Sequence, residues 1–220
     1  MSNEYPSTIF KKRINNIKKS VENLGIITIE AHKKIVFLLS NYDDKVAEEA
    51  IEHSNEIGAL TFELEKMCIK FIAIEQPLAG DLMFVESTIK VSSHLNRIGV
   101  LISKIAKGLK QLKDVKLPER FLEDCQYMGS YVQMMLSKSI NAFLDKNKVM
   151  AVELKEDDNK VDDLFDSILS QVTDLMHNDS DYISQAMTLI FIVRYLERIG
   201  DRAVDIGSRT IFMLTFKNDL

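Results

Sequence analysis

Apolar residues recur along most of this chain at steps of three and four, the spacing that gathers side chains on one face of an α-helix. In the last segment Leu189, Ile192, Leu196, Ile199, Ala203 and Ile206 share such a face, and before it Val161, Leu164, Phe165, Ile168, Leu169 and Val172 form another. Alternating β-branched runs that would mark strands are missing. Breakers fall near Asn41 to Asp44, Gln76 to Asp81, Val115 to Pro118, Asp145 to Lys148 and Asn178 to Asp181, and they divide the chain into six helices. Asp179 or Ser180 is placed to cap the sixth helix, and Pro77 suits the start of the third. The pattern predicts an all-α protein of nearly antiparallel helices, each about 45 Å long for about 30 residues at 1.5 Å per residue.

The six helices repeat as two sets of three. Sliding the chain by 104 residues places Leu24-Gly25 on Met128-Gly129, Ala47 on Ala151 and Ile57 on Val161. Sliding it by 101 places Leu95-Asn96-Arg97-Ile98-Gly99 on Leu196-Glu197-Arg198-Ile199-Gly200. The three-residue difference fits a shorter last loop in the second copy. Two tandem three-helix bundles related by internal pseudo-symmetry are therefore expected, residues 1–113 and 114–220.

With 220 residues, 46% of them hydrophobic and 28% charged, the chain can bury a sizeable core, and a wholly disordered or fibrous chain is excluded. No apolar run approaches the roughly 18 residues that span a bilayer; the longest, Thr188 to Val193, meets Arg194. The first ten residues carry Glu4 and Pro6 and lack the apolar stretch of a secretory signal, so a cytoplasmic location is expected. Cys68 and Cys125 show no CxxC spacing and read as reduced, buried residues. The net charge of −5 argues against a nucleic-acid partner, and Lys11, Lys12, Arg13, Lys18 and Lys19 are the one basic cluster, read as a solvated helix start.

Chemistry is concentrated in the second copy. Glu197, Asp201 and Asp205 stand at steps of four on the sixth helix, on a strip that points away from the Leu196/Ile199/Ala203 face. Asp158, Asp162 and Asp166 repeat the spacing at the border of the apolar face of the fifth. Like charges at such steps cost about 0.2 to 0.5 kcal/mol per pair, so two facing strips need an offset. A hard cation such as Mg, Mn, Ca or iron favours clustered carboxylate oxygens. Arg194, Arg198 and Arg202 offer neutralisation without any metal, and acids at four-residue steps are commonly a solvated face. His32, His53, His94 and His177 have no ligand spacing, the ten methionines read as core filling, and no phosphate loop, GxSxG or Cys/His/Asn set is present. No enzyme is expected.

The segment Leu196-Glu197-Arg198-Ile199-Gly200-Asp201-Arg202, preceded by Asp157-Asp158-Asn159-Lys160-Val161-Asp162 and Asp166, resembles the second repeat of PhoU proteins. Gln76-Pro77, Asp81-Leu82 and Leu95 through Gly99 resemble the first-repeat signature, and the likeness runs from about residue 10 to 216. The resemblance implies a non-enzymatic negative regulator of phosphate uptake and phosphate-starvation signalling. It implies an adaptor between the ATPase subunit of a phosphate ABC transporter and a sensor histidine kinase, a homodimer that meets the membrane only through those partners. It also implies a divalent or trivalent metal at Asp158, Asp162, Asp166, Glu197, Asp201 and Asp205, on the second bundle only.

The first copy departs from that pattern. Ser54, Gly58 and Phe62 occupy the places of Asp158, Asp162 and Asp166, and Asn96, Val100 and Lys104 those of Glu197, Asp201 and Asp205. Every acid is gone, and Lys104 brings a positive charge where a cation would sit. Leu95, Ile98, Ile102 and Ile105 keep the apolar spacing, so a bundle without metal chemistry is expected there. Two alternatives stand beside the adaptor: a carboxylate-bridged metal protein of storage or redox type, and a PhoU-like scaffold with a redirected partner. The first is disfavoured because ferritin-like sites use inward-facing Glu-x-x-His pairs.

Overall fold

The computed structural model describes residues 8–115, 117–178 and 183–216, and in them all regular structure is helical. The helices are α1 (Thr8–Ser40), α2 (Asp44–Glu75), α3 (Ala79–Leu112), α4 (Glu119–Leu144), α5 (Lys148–Asn178) and α6 (Ile183–Phe216). Among the described residues every break falls where the polar clusters predict one. Asp43 caps α2 by accepting from the backbone N–H groups of Lys45 and Val46, and Asn147 does the same for Val149 and Met150 at the start of α5. Pro77 lies just before Leu78, the N-cap of α3, rather than inside the first turn. The expected caps Asp179 and Ser180 lie outside the described residues.

Each half is a three-helix bundle, and the halves pack on one another along α1 with α4 and α3 with α6. The outer helices α2 and α5 touch only helices of their own half among the described residues. Buried residues of both halves form one continuous core. The repeat extends to individual contacts. A Cβ on Gly25 of α1 would lie 2.8 Å from Ile140 of α4, and one on Gly129 of α4, its repeat partner, 3.0 Å from Leu39 of α1. Gly99 backs onto Ile57 as Gly200 backs onto Val161. Gly25, Gly99 and Gly129 are used for close helix approach, not for backbone freedom. Cys68 and Cys125 are free and buried, as expected, and no described helix is long and apolar enough to cross a membrane.

Candidate functional site

The predicted acidic strips face one another where α5 packs on α6. Gly200 lies in this contact, and a Cβ there would make ordinary contact with Val161 at 3.5 Å and Asp158 Oδ1 at 3.6 Å. Five of the six predicted acids feel one another. Burial, then the charges of Asp162, Asp201 and Asp205, lift the Asp158 carboxyl to about 6. Glu197 is raised by burial and by Asp201, and Asp201 by burial against the opposing pull of Arg202 and Arg194. Asp166 stands apart, exposed one helical turn beyond Asp162 and absent from the influences on the other acids.

One orientation differs from the expectation. Glu197 does not point away from the core but is buried, only 9% exposed. Counting angles assigns a helix one inner face, whereas α6 is flanked by α3, α4 and α5, and α5 covers the strip on which Glu197 lies.

Arginines on the same helix answer part of the charge. Arg194 Nη1 donates to Glu197 Oε1 at 2.6 Å, and Arg202 Nη1 donates to Asp205 Oδ2 at 2.5 Å. Glu197 Oε2 remains buried without a partner, an orphaned oxygen that a cation or a donor would satisfy. The donor set, carboxylate oxygens without thiolate, fits a hard cation. Among the described residues, however, no three His, Cys, Asp or Glu side chains are gathered as a metal-holding group. Two of the row's carboxylates are engaged along α6 by the arginines instead.

His94 of α3 enters this neighbourhood, although its sequence spacing gave no hint of it. Its Nδ1 lies 3.4 Å from Asp205 Oδ2, and its pKa is lowered by burial, with Asp205 pulling the other way. His94 and Asp205 belong to different halves, so only the packing of the halves reveals the pair. His32, another histidine without ligand spacing, lies in the core. It is fully buried, neither ring nitrogen has a partner, and burial lowers its pKa to about 4. In the first half Phe62 and Val100 are exposed where the acids would be. Lys104 does not fill that position either, because its ammonium lies over the ring of Tyr195 on α6, 5.4 Å from the centroid.

Comparison with known proteins adds names to this geometry. The PhoU domain family model matches twice, over residues 21–109 and 126–210. The chain is 50% identical to the phosphate-specific transport system accessory protein PhoU homolog 1 of Methanothermobacter thermautotrophicus, across 98% of both chains. It is 28% identical to the phosphate-specific transport system accessory protein PhoU of Escherichia coli K12, over 93% of this chain and 84% of that one. The crystal structure of PhoU from Pseudomonas aeruginosa superposes with a TM-score of 0.89 at 26% identity, covering 94% of this chain and 99% of that chain. The phosphate transport system regulatory protein PhoU from Streptococcus pneumoniae gives 0.86 at 26%, covering 94% and 97%.

Proposed function

Because the chain belongs to the PhoU family of non-enzymatic accessory proteins, we propose that it is an accessory and regulatory protein of phosphate transport. In this reading it restrains uptake and phosphate-starvation gene expression when phosphate is plentiful, as a cytoplasmic adaptor between the transporter's ATPase subunit and a sensor histidine kinase. It acts as a homodimer and reaches the membrane through those partners. The observation that carries the reading is the double family match, one in each half, together with 50% identity along nearly the full chain to a transport accessory protein. The test is a phosphate-starvation reporter in cells lacking this gene, grown in ample phosphate. Derepression reversed by the intact gene supports the adaptor; a reporter that stays repressed removes it.

We further propose that the second bundle alone takes a divalent or trivalent cation such as Mg, Mn, Fe or Ca. Glu197 would offer its unpartnered Oε2 with Asp201 and Asp162 nearest to it, Asp158 and Asp205 continuing the strips further along and Asp166 at the margin. The cation would relieve the repulsion along the two strips and fasten α5 to α6. Ferritin-like storage or redox chemistry is not supported, since His94 meets Asp205 singly and from outside the row. In the double variant E197A/D201A, metal binding read by calorimetry should be lost while the helical circular dichroism is kept. Wild-type stoichiometry in that variant would remove the assignment.

A further inference from the structure

The seam where the halves meet along α3 and α6 carries arginine charge that the acidic row answers only in part, Arg198 acting on Glu197 without forming an ion pair with it. Gly108 lies against Ile192, Lys104 over Tyr195, His94 beside Asp205 and Ser87 beside Arg209, so the two helices run antiparallel. The offset that carries Arg97 onto Arg198 therefore sets these residues on either side of the pseudo-twofold relation between the halves. Between the helices lies an open groove of about 300 Å³ lined by Asn96, Arg97, Val100, Leu101, Arg198 and Arg202. Arg202 is paired with Asp205. Arg97 and Arg198 are exposed, and among the described residues neither makes an ion pair.

We infer that this groove binds a phosphate-class oxyanion, either the free ion or the phosphoryl group of a larger ligand. Three guanidiniums lining one groove repel each other, and only one of them has a counter-charge in contact. The guanidinium fork matches tetrahedral oxyanion oxygens two at a time, which a lysine ammonium does not. A single carboxylate satisfies one fork, whereas two free forks suit a compact group carrying close to two negative charges. Val100 and Leu101 give the groove an apolar floor that strengthens such pairings. The site draws on both halves, so its occupant would bridge them. It depends on neither the metal nor the adaptor role.

The test is calorimetric titration of the full chain, with chelator present, by inorganic phosphate and separately by ATP. A saturable one-to-one isotherm is expected, weakened at least about tenfold in R97Q/R198Q, since each charge-assisted pair carries roughly that factor. Circular dichroism checks that the variant keeps its helices. Should it lose them, R97K/R198K reads the same loss of the fork with the charge retained. Saturation by inorganic phosphate identifies the free ion, and saturation by ATP alone identifies a phosphoryl group on a larger ligand. No saturation by either up to about 10 mM, or binding that survives in R97Q/R198Q or R97K/R198K, overturns the site.

Discussion

Asp158→Asn removes one charge from the acidic row with almost no change of side-chain size. Burial and the charges of Asp162, Asp201 and Asp205 raise the Asp158 carboxyl from 3.8 to about 6. At pH 7.5 it is ionised in the folded and the unfolded chain alike, and the folded state bears the cost of holding it. Taken whole, that difference in proton affinity amounts to about 3 kcal/mol. The side chain is only half-buried and water screens it, which leaves about 1 kcal/mol. Without metal, D158N should therefore be more stable than the wild type at pH 7.5 by about 1 kcal/mol, a rise in Tm of about 2 to 4 °C for a chain of this size. The sign reverses the usual carboxylate case. A group with a raised folded pKa binds protons more tightly when folded, so its contribution improves as pH falls through 6 towards 3.8. The advantage of D158N should then shrink between pH 7.5 and pH 5. Urea unfolding at both pH values, with chelator, reads both effects. A variant less stable than the wild type at pH 7.5, or one whose advantage is the same at both, would refute a repulsive row and leave Arg194 and Arg202 as its full neutralisers.

Gly207→Ala should lower the urea midpoint, by about 1 to 3 kcal/mol of stability, because the new Cβ would sit 2.6 Å from Leu154 Cδ1 and 3.0 Å from the Ala151 carbonyl oxygen. Gly200→Ala meets nothing closer than 3.5 Å and should instead raise it, by up to about 1 kcal/mol of helix propensity. His32 stays neutral in the core down to about pH 4 while the unfolded chain protonates it near 6.5, so acidification from pH 7.5 to 5 should cost the wild type about 2 kcal/mol through this residue. His32→Leu should flatten that loss in urea titrations; an unchanged slope would remove the residue from the acid response. Residues 114–220 expressed alone should self-associate in analytical ultracentrifugation, because the faces of α4 and α6 that pack on α1 and α3 become exposed.

The helices were legible because their evidence is local. Steps of three and four and the polar breaks recur within a few residues, and they survive any detail of packing. The repeat offsets carried further, down to the Gly99–Ile57 and Gly200–Val161 contacts, because both members of each pair shift together. The acidic strips were legible one by one from their four-residue steps, while their facing one another depends on how α5 packs on α6. Their depth was not legible: Glu197 is buried because three helices surround α6, a fact that one helix's periodicity cannot contain. The pairing of His94 with Asp205 and the fully buried, unpartnered His32 were equally beyond reach. The first joins residues of opposite halves more than a hundred positions apart, and the second needs the whole core to exclude water.

The asymmetry of the halves connects the acidic row to the arginine groove. Packing and charge are set by different positions in each repeat, so the first half carries none of these acids and yet keeps Leu95, Ile98, Ile102 and Ile105 in the core. On α6, Arg198 has Asp201 one turn away, and Arg202 has Asp205 in contact. On α3 the corresponding positions after Arg97 are Val100, Leu101 and Lys104, so Arg97 has no acid within a turn on that side, and Lys104 turns to Tyr195. The residues that stand in place of an acidic row in the first half thus also leave Arg97 without a neighbouring counter-charge at the seam, in a chain of net charge −5. Restoring one acid, as in Val100→Asp, should place a carboxylate one turn from Arg97 at the edge of the groove and weaken oxyanion binding without touching an arginine. Unchanged affinity in V100D would separate the groove from the loss of the row.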